Sequence, residues 1–227
     1  MQPSKLKWKA IGLKRKTQQL LKTLNEILAE IPEEQTNKRR TPQNLINELE
    51  YILAGINKID QELIPRLEEY QGIELKNKEL MYLAMSQISL RNVFTSIKDH
   101  LMKNNKLPIP ENELDELANI GEIGKTLALL GDSVLGLATI EIHWSNIFST
   151  VGELTTIKSE QVRNKKLAAI CDDWGLYDYR IENLNSKEKS KEVELNHLKG
   201  TLIEAVLGII YIDMDYSKIL EVVPILQ

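Results

Sequence analysis

The 227-residue sequence contains one cysteine, two phenylalanines and no uninterrupted apolar run close to the roughly 20 residues that span a bilayer. The single cysteine, Cys171, cannot form an internal disulfide, so we expect a protein of a reducing compartment, the cytoplasm. The lack of a long apolar run predicts no membrane association. The basic amino terminus is not followed by an apolar stretch with a cleavage site, so a secretory signal is not expected.

Glycine and proline are also sparse, at 11 and 7 residues, and alternating apolar and polar runs are nearly missing. Both features favour helices over strands, and the sequence predicts an all-α protein. Apolar residues make up 42% and charged residues 27%, which argues against wholesale disorder. After the N-terminal region, we expect helices near 77–103, 111–119, 123–146, 151–158, 160–174 and 190–212.

The net charge of −4 conceals a basic N-terminal segment with no acid before Glu26. Clustered cations gain affinity for nucleic acid by releasing counterions, which makes this segment a candidate RNA-binding arm. A solvated helix face would give the same composition, and charge alone does not separate the two interpretations. The candidate RNA-binding residues are Lys5, Lys7, Lys9, Lys14, Arg15 and Lys16.

Residues 1–66 predict a basic, coiled-coil-like helical hairpin. The first helix should cover about 4–31, and Thr41 should cap the second, with Pro42 in its first turn. The second helix has apolar residues at alternating spacings of four and three, a pattern typical of helices that wind together. The hairpin could be scaffolding, or its 45–63 face could bind a protein partner. The apolar residues are Leu45, Leu49, Ile52, Ile56, Ile59 and Leu63.

Four segments in the second half of the chain stand out by order and spacing. They are LALLGDSVLG at 127–136, GELT at 152–155, an Arg–Asn pair with the adjoining run at 163–179, and GTLIEAVLGIIYID at 200–213. A glycine and an aspartate inside an apolar helix, as at Gly131 and Asp132 in the first segment, are locally unfavourable. A lysine neighbour could satisfy this aspartate, but would not explain the other three segments.

These segments resemble the ribonuclease III domain, with a fainter match at 72–90. The resemblance implies a ribonuclease III endonuclease-domain-like helical bundle over residues 67–227, after the N-terminal hairpin. It also implies double-stranded RNA as substrate, Mg²⁺ or Mn²⁺ as cofactor and pairing as a homodimer. Leu129 stands where the family places an apolar residue of the dimer interface. The family's separate RNA-binding domain, which would come after the last segment, is not expected here.

The same resemblance implies four carboxylates around the metal, and two of them remain. Asp132 and Glu204 are present, whereas Ala128 and Thr201 occupy the other two positions. A further position that is acidic in the family, three residues before Ala128, carries Lys125. Glu153 is retained, and in the family its position lies near the substrate rather than in the inner shell of the metal. The predicted catalytic residues are therefore the remnants Asp132 and Glu204, with Glu153, and the predicted metal ligands are Asp132 and Glu204.

Three functions remain open from the sequence. The first is a ribonuclease III relative that binds double-stranded or structured RNA with impaired or lost cleavage. The second is a divergent metal-dependent endoribonuclease that uses Asp132 and Glu204 to hold a weakly bound Mg²⁺ or Mn²⁺, with His197 as a possible third ligand. The third is a helical protein-interaction module. Lys125 could repel a metal ion or pair with a remaining acid.

Overall fold

The computed structural model describes residues 6, 8–144, 150–184, 186 and 191–226, without the side chains of 70 and 71. This part of the chain is built from helices, as the sequence predicts, and its one β-bridge joins Ser86 and Ile181. The helices are α1 (Leu13–Glu30), α2 (Thr36–Lys58), α3 (Ile64–Gln71), α4 (Glu79–Met85), α5 (Leu90–Lys103), α6 (Glu111–Ala118), α7 (Ile120–His143), α8 (Val151–Gln161), α9 (Asn164–Asp173), α10 (Glu192–Asp213) and α11 (Tyr216–Val222). Short 3₁₀ helices cover Leu176–Tyr179 and Val223–Leu226.

Helices α1 and α2 form the expected antiparallel hairpin, but α2 begins at Thr36 rather than after Thr41. Pro42 therefore lies inside the helix, where it removes one backbone hydrogen bond, and its ring is buried. A π-helical turn at Ile59–Leu63 joins α2 to α3 and adds one residue to the turn. As a result the consecutive residues Leu63 and Ile64 both face the core.

The predicted apolar stripe of α2 is fully used inside the chain. Its six side chains are between 0% and 7% exposed and belong to the main hydrophobic core. They pack against α1 and α5, so they are not available to a separate protein partner. The prediction of a partner bound through 45–63 is therefore wrong for these side chains, because the chain itself fills that surface.

Helix α1 begins nine residues later than predicted, and the cause is a distant side chain. Gly12 takes a left-handed conformation with φ of 75°, which ends any helix that starts earlier. The Glu79 carboxylate accepts hydrogen bonds from Ile11 N at 2.9 Å and from Leu13 N at 2.6 Å. An acid of α4 thus caps α1, since carboxylates stabilise the free N–H groups at a helix start.

The helix predicted at 77–103 is divided into α4 and α5 by residues 86–89. Ile181 N donates to Met85 O at 2.9 Å, and Gln87 N donates to Ile181 O at 2.9 Å. This bridge turns the backbone away from the helical path. The break lies near the end of the fainter family match at 72–90, and it makes one wall of a cavity beside α7 and α10.

Helices α7 and α10 cross at the centre of the molecule, and two glycines permit their close approach. A Cβ atom on Gly131 would overlap the carbonyl oxygen of Glu204 and lie 2.9 Å from Gly208 N. A Cβ atom on Gly208 would overlap the carbonyl oxygen of Leu127. The backbones touch here, which explains why glycine is tolerated in two apolar helices despite its low helix propensity.

By length and composition, α7 and α10 could each cross a membrane. The sequence analysis predicts no membrane span there, because neither helix is an uninterrupted apolar run. Half of the most apolar window of each helix is buried inside the protein, where the two pack against each other. Core helices of this kind meet the same criterion as membrane spans. The absence of membrane association stays a prediction.

The N-terminal hairpin shares its core with the rest of the chain. Buried residues from α1, α2, α7 and α10 belong to one cluster. Polar contacts cross the predicted boundary too: Arg66 donates to the carbonyl oxygen of Trp174, and Tyr179 donates to Glu62 at 3.2 Å. The division into domains 1–66 and 67–227 stays a prediction, and the hairpin packs tightly on the helices after it.

Candidate functional site

Asp132 and Glu204 come together because the glycine crossing brings α7 against α10. The backbone of Glu204 is in contact with Gly131, and Asp132 is the next residue of α7. Burial raises the pKa of Glu204 to about 7, and the negative charge of Asp132 adds to the rise. Asp132 itself is exposed. Asp132 is therefore close enough for its charge to oppose ionisation of Glu204.

The remaining positions of the expected metal centre supply no ligand oxygen with negative charge. Ala128 is buried at 4% exposure. Thr201 donates its hydroxyl proton to the carbonyl oxygen of His197 at 3.0 Å. Lys125 is exposed and forms no ion pair with Asp132 or Glu204, so the pairing that the sequence left open is not formed.

Magnesium and manganese take about six oxygen ligands, several of them anionic in a hydrolytic centre. Across the described ranges, no three His, Cys, Asp or Glu side chains lie close enough together to hold a metal ion. His197 does not join the two acids: its Nδ1 lies 3.5 Å from Nδ2 of Asn164 instead. The donor set does not fit the inner shell of a catalytic metal centre.

Glu153 has a local structural role at the start of α8. Its carboxylate accepts hydrogen bonds from Thr150 N at 2.9 Å and from the Thr150 hydroxyl at 2.8 Å, and Glu153 N donates back to that hydroxyl oxygen. This reciprocal capping box lowers the pKa of Glu153, chiefly through the backbone bond and then through the hydroxyl bond. Its predicted place near the substrate stays a prediction.

Two residues of the proposed RNA-binding arm are engaged elsewhere. Lys14 pairs with Asp60 at 2.7 Å, and Lys16, only 4% exposed, pairs with Glu113 at 2.8 Å and with Glu116 at 3.4 Å. These lysines hold α1 to the hairpin and to α6, and their assignment to RNA binding stays a prediction.

Of the other candidate residues of the arm, Lys9 and Arg15 are exposed. Arg15 contacts Gln19 of its own helix at 3.5 Å. Lys5 and Lys7 lie outside the described residues. Within the described part of the chain, Lys9 and Arg15 are thus the fully exposed cations of the arm.

Residues 125–215 match the family model of the ribonuclease III domain. They form a ribonuclease III domain. The crossing of α7 and α10, with its glycines and its two acids, lies inside this stretch. The all-α fold predicted from the resemblance is confirmed.

A curated relative of this domain is Ribonuclease 3 of Caenorhabditis elegans. The two sequences are 28% identical over 148 residues, which cover 65% of this chain and 11% of the relative. The chain therefore spans about a tenth of that protein's length. The aligned stretch of 148 residues is longer than the ribonuclease III domain at 125–215.

A cavity of about 260 Å³ at the edge of the ribonuclease III domain was not predicted. It is lined by Lys125 and Gly124 of α7, by His197 and Thr201 of α10, and by residues of the 86–89 break. The sequence singled out Lys125 and His197 separately. Their shared cavity depends on the break between α4 and α5, for which only the faint 72–90 match gave a signal.

Proposed function

We propose that this chain is a ribonuclease III relative that binds double-stranded or structured RNA as a homodimer in the cytoplasm, without cleaving it. The ribonuclease III domain at 125–215 supports RNA as the ligand class. A domain of this kind receives an A-form duplex by its shape, phosphates and 2′-hydroxyls, none of which requires a catalytic metal.

The loss of cleavage is inferred from the reduced number of acidic residues at the expected metal-binding positions. Asp132 and Glu204 remain together, while Ala128 and Thr201 bring no charge and Lys125 brings a positive one. Glu204 is also partly buried, and burial together with the charge of Asp132 raises its pKa to about 7. A centre that must hold a divalent ion against the charge of RNA needs more anionic ligands than this pair offers.

Exposed apolar side chains on α7 support the homodimer. Leu129 is 69% exposed and Leu137 is 54% exposed, on a helix whose opposite face forms the core. Helix α8, which packs beside α7, buries none of its own side chains, and Val151 at its start is 84% exposed. A second copy of the chain would remove this apolar surface from water.

The test is an RNA-binding measurement paired with a cleavage assay. The full chain should bind a duplex of about 20 base pairs at modest salt and leave it intact in magnesium or manganese. No RNA affinity would overturn the proposal of RNA binding. The competing function, a divergent endoribonuclease, is favoured by the closeness of Asp132 and Glu204, and it requires cleavage that both Asp132→Asn and Glu204→Gln abolish.

A further inference from the structure

The cavity beside α7 and α10 contains a lysine without an acidic partner. The Lys125 ammonium is exposed and lines the cavity, and it makes no ion pair or hydrogen bond with any residue that the structure describes. Two cations near the cavity that the structure describes are engaged: Lys199 pairs with Asp172 at 2.6 Å, and Arg91 pairs with Glu122 at 3.6 Å. The charge of Lys125 is thus available to a ligand.

The other cavity residues suit an anion. His197 has its Nδ1 facing the Asn164 amide at 3.5 Å, and with that amide donating, the ring proton remains on Nε2. The Thr201 hydroxyl donates to the His197 carbonyl oxygen. Thr201 is uncharged, whereas the family carries an acid at this position of the cavity wall. The cavity also opens at Ile88 and Ser89, directly before α5, so the positive end of that helix dipole adds to the field.

Among the described residues, one carboxylate lines the cavity, and an arginine compensates its charge. Glu182 lies within 3.6 Å of Arg180, and both side chains are largely buried. Asp132 and Glu204 do not line the cavity. The net charge of the lining side chains that the structure describes therefore favours an anion.

We propose that Lys125, with His197, binds a backbone phosphate of the RNA in this cavity, in the region where an active relative carries acids. This inference rests on the proposed RNA-binding function and names the group that the site recognises. A lysine ammonium is a compact donor suited to a phosphodiester oxygen. Binding through the backbone is independent of base sequence.

The test measures duplex RNA binding by fluorescence anisotropy, with a chelator present and at several salt concentrations. The variants are Lys125→Ala, Lys125→Arg and a control, Lys103→Ala. Lys103 is also exposed and has no ion pair with a described residue, but lies at the far end of α5, about 20 Å from the cavity by the helical rise. Thermal unfolding verifies that each variant is folded.

Lys125→Ala should weaken binding about tenfold and reduce the slope of log K against log salt by about one. Lys125→Arg should keep most of the affinity, and Lys103→Ala should match the unmodified chain. Inorganic phosphate should compete less well against the Lys125→Ala variant than against the unmodified chain.

Two results would overturn the inference, and they differ in meaning. If the unmodified chain binds RNA and Lys125→Ala behaves as Lys103→Ala does, the phosphate site is refuted while RNA binding stands. If the unmodified chain does not bind RNA, the proposed function fails and the site fails with it.

Discussion

The α-carbon of Gly131 lies so close to the backbone of Glu204 that a methyl group added there would overlap the Glu204 carbonyl oxygen. This contact sets the distance between α7 and α10. It also brings Asp132, the next residue after the glycine, beside the Glu204 carboxylate. The packing of the core and the position of the two remnant acids therefore have one cause.

Alanine at Gly131 or Gly208 should force the two helices apart. The overlap is with backbone atoms, which cannot rotate away, so we expect a loss of about 3 kcal/mol or more in the free energy of unfolding. Chemical denaturation measures it. The matched control is Gly152→Ala in α8, where an added methyl group meets nothing within 4 Å. That variant should gain about 0.5–1 kcal/mol from helix propensity. Equal stability of Gly131→Ala and Gly152→Ala would refute the crossing.

The sequence predicts the apolar stripe of α2 and the glycine and acid of α7 well, because the signals for both are local. The apolar stripe from Leu45 to Leu63 recurs at helical spacing, and all of it is buried. The glycine and acid of α7 match a family pattern within ten residues of chain. Both kinds of information are complete within a single segment, so they do not depend on the tertiary structure.

The features that the sequence did not predict depend on distant residues. The start of α1 is set by Glu79, some 66 residues away, and the charges of Lys14 and Lys16 are taken up by Asp60, Glu113 and Glu116. No spacing rule joins such positions. The basic N-terminal cluster stays the predicted RNA-binding arm, and two of its cations also hold helices together through partners that the local sequence does not reveal.

A charge in the α2 stripe should unfold the hairpin rather than release a partner. Ile52 is fully buried between α2 and its neighbours, so Ile52→Glu would place an unpaired carboxylate in the core, at a cost of about 4 kcal/mol or more. Tyr51→Glu is the control, since Tyr51 is 42% exposed on the adjacent position. Thermal unfolding should show a large loss for the first variant and a small change for the second. A stable Ile52→Glu protein would show that the stripe is not core.

The raised pKa of Glu204 makes a prediction about pH. The folded state holds the Glu204 proton up to about pH 7, whereas the ordinary pKa of a glutamate side chain is 4.5. The folded state thus binds more protons between these values, so this group favours folding at low pH and that contribution is lost as the pH rises through 7.

Glu204→Gln should remove this dependence. Its unfolding temperature relative to the unmodified chain should rise between about pH 5 and pH 8, by about 2–4 °C, which allows for partial solvent screening. Glu26→Gln, at an exposed position of α1, is the control. A difference that stays constant with pH would contradict the burial of Glu204 beside Asp132.

A charge at Leu129 should weaken the proposed homodimer. Leu129 is 69% exposed, so Leu129→Asp should leave the fold intact and shift the chain toward monomer in sedimentation experiments, with a dissociation constant raised about tenfold or more. Leu107→Asp, at a leucine 40% exposed in the loop after α5, should leave the association unchanged. If the unmodified chain is a monomer, or if both variants dissociate alike, the α7 face is not the interface.

The central claim is that the remnant acids no longer make a metal centre, and manganese in a crystal tests it most directly. Crystals of the unmodified chain grown with manganese should show no anomalous scattering peak between Asp132 and Glu204. Crystals of a Lys125→Glu, Ala128→Glu, Thr201→Asp variant, which restores the acids, should show one. A fully occupied manganese ion bound by both Asp132 and Glu204 in the unmodified chain would contradict the claim.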